Sequence, residues 1–296
     1  DAGADAGADT GTDAGADAGA DAGGASASGS LSVNALIASN LVLNTAEAEV
    51  LDSELTVSGS LGVEAENVST IEASNSATTE STGGTAAGVT LAFNTIGWEA
   101  QNILFAAIDA LLGSSIGDED PAEVRAEIAR TSLEVGEDLT LSAVSEPQIT
   151  ADIENSVASE GGASASFVLA SNMLSSRASA LLVDLPGLDL CAEARGGLRR
   201  PGLDPHTAGS LTVEASDTAG VASRISLSAD AAGGASLGGM AARNDLRSVV
   251  DTLVESANLE IDGDVAITGE GSSTVTALIT DQPLEALPED EDATDE

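Results

Sequence analysis

The chain has 296 residues, of which 50 are Asp or Glu and 9 are Arg, with no Lys, giving a formal net charge of -41. That sign repels nucleic-acid phosphates and anionic lipid head groups, so neither is expected as a partner; cations, as bulk salt or bound Ca2+, are the natural counter-species. A single cysteine, Cys191, excludes an intrachain disulfide framework, and the most apolar stretch, Ile103 to Leu112, is too short for membrane insertion and carries Asp109.

Aromatic residues are nearly missing: Phe93, Phe105, Phe167 and Trp98 are all there are. Compact cores of this size normally use more large rings. Ala, Ser, Thr, Val, Leu and Gly dominate instead, a palette suited to thin stacked β-layers.

Residues 1–23 repeat Asp every fourth position between Ala, Gly and Thr. Like charges four apart and frequent Gly oppose a helix, so this stretch reads as a self-repelling spacer without fixed structure. Such Asp-Ala-Gly tracts resemble linkers that tether surface proteins of some high-GC bacteria to their envelope. The start at Asp1, without Met, is what a processed product would show. Residues 24–284 read as one repeat domain, and 285–296 as a solvated acidic tail.

Inside that domain an Ala-x-Asn element recurs at Asn40, Asn94, Asn172 and Asn244. Each is followed by an alternating apolar stretch beginning at Leu61, Leu139, Leu211 and Val265. From Leu61 to Asn94, from Leu139 to Asn172 and from Leu211 to Asn244 the distance is always 33 residues. The other leg is 21 residues from Asn40 to Leu61 and from Asn244 to Val265, but 45 from Asn94 to Leu139 and 39 from Asn172 to Leu211. This describes four copies of a 54-residue unit, with insertions near 95–127 and 183–206 at one shared place. Stacked repeats behave this way, because the stack fixes the layers and loops absorb variation.

The columns have physical meaning. Val63, Leu141, Val213 and Ile267 align, as do Ile71, Ile149, Val221 and Val275, with polar residues between the apolar ones. Period-2 alternation marks strands with one buried face. Leu55/Val57, Leu133/Val135 and Leu259/Ile261 add a short strand that the third unit, with Pro205 and Thr207, is expected to lack. Gly83-Gly84, Gly161-Gly162 and Gly233-Gly234 mark a turn that needs either positive φ or close backbone approach. The architecture expected is an all-β parallel β-helix (β-solenoid) with roughly 18 to 27 residues per coil, hence two or three coils per unit. An elongated antiparallel β-sandwich is the alternative. In the first insertion, Trp98, Ile103, Leu104, Ala107, Ile108, Leu111 and Leu112 recur at helical spacing, predicting a helix over about 99–112.

Gly136-Glu-Asp-Leu-Thr-Leu-Ser-Ala-Val-Ser-Glu-Pro-Gln-Ile-Thr-Ala151, Gly263-Asp-Val-Ala-Ile-Thr-Gly269 and Val89-Thr-Leu-Ala-Phe-Asn-Thr-Ile-Gly-Trp98 resemble segments of large bacterial exoproteins, including filamentous-haemagglutinin-like adhesins and giant surface proteins. The resemblance covers roughly residues 30–282. It implies secretion to the cell surface, a rod-like β-helix, and a role in adhesion or matrix building; it supplies no catalytic residue.

The chemistry readable from the chain is sparse. Gly234-Ala-Ser236-Leu-Gly238 matches a nucleophile-elbow pattern, but Gly162-Ala-Ser164 shows the same turn in another unit, and the lone His206 precedes the serine instead of following it. Cys191 and His206 share the second insertion without a third orienting group, and one Cys with one His does not make a zinc site. Asn67 begins a lone glycosylation sequon, a pattern expected by chance. Hard oxygen ligands for Ca2+ gather best at Asp118, Glu119 and Asp120 and at Asp262 and Asp264, although neither group follows an EF-hand loop. The function expected is a non-enzymatic, extracellular structural or adhesive module. Open β-edges and no polar capping helix would let it join end to end into filaments. The alternatives are a Ca2+-responsive binding module and a carbohydrate-active β-helix enzyme.

Overall fold

The computed structural model describes residues 30–98, 119–183, 206–257 and 259–281. They form an all-β arrangement in which every pair of neighbouring strands is parallel. The antiparallel sandwich is thereby set aside: the one antiparallel contact among the described residues is an isolated bridge between Trp98 and Glu119. The spacer, the tail, Cys191, and the helix expected over 99–112 lie outside the described residues.

Three sheets divide the chain. The first holds β1 (Leu31–Val42), β2 (Thr45–Leu51), β5 (Thr85–Ile96), β6 (Ala122–Ala129), β9 (Ser164–Val183) and β12 (Ser236–Glu255). The second holds four short strands, β3 (Glu54–Val57), β7 (Ser132–Val135), β10 (His206–Ala208) and β13 (Leu259–Ile261). The third holds β4 (Leu61–Ser81), β8 (Asp138–Ser159), β11 (Ser210–Ala231) and β14 (Val265–Thr280).

The alternation read in the sequence becomes the burial pattern. Along β8, every second residue from Leu139 to Ile153 is buried, Leu141, Ala143, Ser145 and Ile149 among them, while the residues alternating with them face outward. Strands of 20 to 22 residues result, several times the usual five or six. A proline is tolerated in one of them at a visible cost. Pro147 has no N–H, the β8–β11 pairing lapses opposite Thr218 and Ala219, and the Gln148 side chain donates to the Thr218 carbonyl at 3.1 Å.

The aligned columns are the pairing register. Leu61 sits beside Leu139, Leu139 beside Leu211, and Leu211 beside Val265. The Asn column pairs in the same order, Asn40 with Asn94, Asn94 with Asn172, and Asn172 with Asn244. Those partners lie 54, 78 and 72 residues apart, so the expected turn of 18 to 27 residues is wrong. The chain passes through the three sheets in turn, as β1–β4, β5–β8, β9–β11 and β12–β14. Period-2 alternation fixes which face a residue takes but carries no signal for how far a strand runs. The third unit also keeps its short strand. Thr207 of β10 pairs with Glu134 and Glu260, and Ala208, 5 % exposed, takes the inward position beside Ile261.

Residues from all three sheets meet in one core. Val63, Val124, Leu133, Leu139, Leu182, Ala208 and Leu211 belong to a single cluster, followed along the strands by clusters around Ile149 with Leu174 and around Ile153 with Val168.

Two kinds of corner make the passages stackable. Between the third sheet and the next passage of the first lie the paired glycines, and their need is close approach, not positive φ. A Cβ at Gly162 would collide with the Gly84 carbonyl, and one at Gly234 with the Gly162 carbonyl. Between the first and second sheets, Asp52, Arg130 and Ser256 adopt left-handed φ of 49°, 52° and 56°. Non-glycine residues there are strained by about 1 kcal/mol or more. Asp52 and Arg130 offset this by stacking: the guanidinium donates to both carboxylate oxygens at 2.7 and 2.8 Å, and it holds Asp52 below its ordinary carboxylate value.

Gly162→Ala is therefore expected to lower stability by about 2 kcal/mol or more. Gly233→Ala, whose Cβ would meet nothing nearer than 3.6 Å, should cost under about 0.5 kcal/mol. Urea midpoints of the two variants check the contrast.

Candidate functional site

In-register stacking puts every outward side chain on its counterpart, which is dangerous for a chain this acidic because like charges directly opposite destabilise a sheet. The strand registers show how the danger is met. Glu64 sits beside Ser142, Ser142 beside Glu214, and Glu214 beside Thr268. Glu66 faces Val144, Ser216 faces Glu270, and Thr207 separates Glu134 from Glu260. Asp138 lies between Ser60 and Ser210, whose hydroxyl donates to it at 2.6 Å, and Asp152 pairs with Ser74 and Arg224. Among the described strand pairs, acid meets acid once, at Glu49 and Glu127. Arg125 lies against that pair, 2.9 Å from Glu49, 3.4 Å from Glu127 and 3.0 Å from Glu47. The outer faces thus carry dense negative charge with acids diluted by Ser and Thr or bridged by Arg.

A polar ladder runs inside. Asn40 donates its amide to Asn94 at 2.8 Å, Asn94 to Asn172 at 2.8 Å, and Asn172 to Asn244 at 2.9 Å. Asn94 and Asn172 are buried, so each amide is satisfied only by the next layer. At the far end Asn244 donates to the Ser223 hydroxyl and the Thr276 carbonyl, which closes the ladder within the chain.

Among the described residues, no strand covers either end of the sheets. At the β1 end Leu31, Val33 and Ile37 are 69 %, 64 % and 51 % exposed. At the β14 end Val265, Ile267 and Val275 are each exposed by more than half. There the mouth of the core forms an open cavity of about 630 Å3 lined by Leu246, Arg247, Ser248, Val250, Gly271, Ser273 and Val275.

Of the expected Ca2+ ligands, Asp118 lies outside the described residues. Glu119 is engaged: Ser175 donates to it at 2.6 Å and Arg247 at 2.6 Å, and these bonds hold its carboxyl below the ordinary value. Arg247 also lies 4.6 Å above the ring of buried Trp98. Trp98 and Glu119 flank residues 99–118, so this clip ties down both ends of the first insertion. Gly97, at φ 72°, turns the chain out of β5, and its carbonyl accepts from Asp120 N. The Asp120 side chain is not brought to Asp262 or Asp264, which are exposed at the corner between β13 and β14. Among the described residues no group of three or more acidic, His or Cys side chains could hold a metal ion. Ser236 opens β12 beside Ser164, bonded to that hydroxyl at 3.1 Å and to the Ala229 carbonyl, in a regular strand without the positive φ of a strained elbow. His206 lies in β10.

No protein-family model, curated protein or solved structure matches the chain.

Ser142→Glu would stack three acids in one column. It is expected to cost about 0.5 to 1 kcal/mol at low ionic strength and clearly less at high salt, read as the shift in urea midpoint under both conditions.

Proposed function

We propose that the chain is a non-enzymatic structural module of a bacterial cell surface or extracellular matrix, built as a parallel β-solenoid of four coils with one coil per repeated unit. The observation that carries this reading is the unbroken register. The Asn ladder and the apolar columns run from the first unit to the last, and the sequence spends its regularity on stacking instead of on a catalytic cleft. Arg as the only cation and the dilution of acids along the outer columns support an exterior, saline setting, where screening shortens self-repulsion. The Asp-Ala-Gly spacer supports a tethered arrangement, and the likeness of several segments to exoprotein repeats supports the surface setting.

Self-association end to end belongs to this reading. The β12–β14 end and the β1–β4 end display successive layers of one register, so the β14 edge of one copy can meet in the β4 edge of another a similar inward run, with Leu61, Val63, Ala65 and Ile71 in the places that Leu211, Val213, Ala215 and Val221 take beside β14. The 20 residues of β12 span about 65 Å, and sheets pack about 10 Å apart. The strip of core at each end is then about 650 Å2, close to the ~800 Å2 per partner of a standard stable interface.

Light scattering with negative-stain microscopy of the purified chain is the test. A single copy, four layers deep, is only about 20 Å along the stack. Filaments should grow by end-to-end joining at high salt, where charge repulsion between ends is screened, and Val275→Asp should keep the copies single. Single copies at every salt concentration would discard the assembly role.

A further inference from the structure

The core contains a buried carboxylate without a counter-charge. Asp217 on β11 is fully buried, and its Oδ2 accepts from the Ser176 hydroxyl at 2.5 Å and the Ser248 hydroxyl at 2.6 Å. Both serines stand on the opposite sheet, β9 and β12, so the carboxylate points between the sheets. Its Oδ1 makes no hydrogen bond. Arg247, next to Ser248, is turned to Glu119 and Asp245, and no cationic side chain among the described residues pairs with Asp217. An isolated ion in an apolar interior is very costly, so buried charges are normally paired or bound to a cation.

The next layer repeats the deficiency. Ser145, the register neighbour of Asp217 on β8, is fully buried and its Oγ has no partner. On the other side the neighbour of Asp217 is Gly271, which has no side chain to cover it. Gly271 and Ser248 both line the open cavity at the β14 end. Between the cavity and the carboxylate stand a glycine and a hydroxyl already bonded to it.

The geometry points to Asp217 as the anionic ligand of a small monovalent cation, with Na+ as the probe, held between the sheets with the hydroxyl oxygens of Ser145, Ser176 and Ser248. The hydroxyls of Ser176 and Ser248 donate their protons to Oδ2 and keep lone pairs for the ion. Oδ1 and the Ser145 oxygen supply the ligands now unused. One carboxylate neutralises one positive charge, whereas a divalent ion would leave a net charge in the core, and hard oxygen donors favour an alkali cation over a soft metal. The site is independent of the corner acids at Asp118–Asp120 and Asp262–Asp264 and does not require end-to-end assembly.

The test compares thermal unfolding of the full chain in NaCl and in tetramethylammonium chloride at equal, high ionic strength. General screening of the acidic surface is then matched, and only the small ion fits the site. Wild-type protein should melt about 3 °C or more higher in NaCl. Asp217→Asn should abolish that difference. Ser145→Ala should shrink it while matching or exceeding the wild-type melting temperature in tetramethylammonium chloride, because it removes an unpaired buried hydroxyl. The Ser145 variant decides the matter if the Asp217 variant fails to fold. Equal melting in both salts, a difference that both variants retain, or a rise with Ca2+ but not with Na+ would each overturn the assignment.

Discussion

The structure depends on one constraint: each residue must tolerate its own counterpart, one layer up or down, at the spacing of a parallel ladder. Parallel in-register pairing satisfies the backbone across long strands, but it forbids any side chain that cannot lie beside its equivalent. Small and β-branched residues meet that condition inward, which explains both the Ala-rich core and the scarcity of aromatic rings. Asn meets it by hydrogen bonding to itself, as Asn94 and Asn172 do within the core. Gly162 and Gly234 meet it at corners where only a backbone without Cβ can pass its neighbour.

The same constraint shapes the charge. A net charge of -41 could not be carried by columns of stacked carboxylates, and the registers show it distributed otherwise. Ser142 between Glu64 and Glu214, and Thr207 between Glu134 and Glu260, keep acids a layer apart. Where acids do adjoin, at Glu49 and Glu127, one of the few arginines lies against both. The Asp52–Arg130 pair applies the rule to a strained corner, with opposite charges in one left-handed column. The arginines are few, and several of them sit where stacking would otherwise fail.

Much of the fold was legible in the sequence, because columns of like residues are what a register looks like before folding. Leu61, Leu139, Leu211 and Val265 could be aligned by spacing alone, and the two insertions located by where the spacing broke. The length of a layer was not legible. Alternation along β8 has the same period whether the chain bends after six residues or after twenty-two, so corners had to be found from residues such as Asp52 and Arg130 that give no glycine signal. The short strand at His206–Ala208 escaped notice because its inward Ala208, the register partner of Ile261, lies three residues before Leu211, whereas Ile261 lies four before Val265, so the column read by spacing fell on Thr207. The inward polar residues were the least legible. Asn67, Ser145 and Asp217 stand in one column at an inward position of the alternation, and only the facing serines of the opposite sheet reveal what they surround.

The central claim, that counterparts in successive units are direct neighbours, can be tested by covalent trapping in a Cys191→Ser background. Glu72 and Thr150 are exposed register partners on adjacent strands. Their cysteine variants would be held within the Cα separation a disulfide accepts. Mild oxidation should close the Glu72→Cys/Thr150→Cys pair quickly within one chain, while Glu64→Cys/Thr150→Cys, out of register on the same face, should stay reduced. Equal reactivity of both pairs, or closure of the second alone, would contradict the register on which the whole account stands.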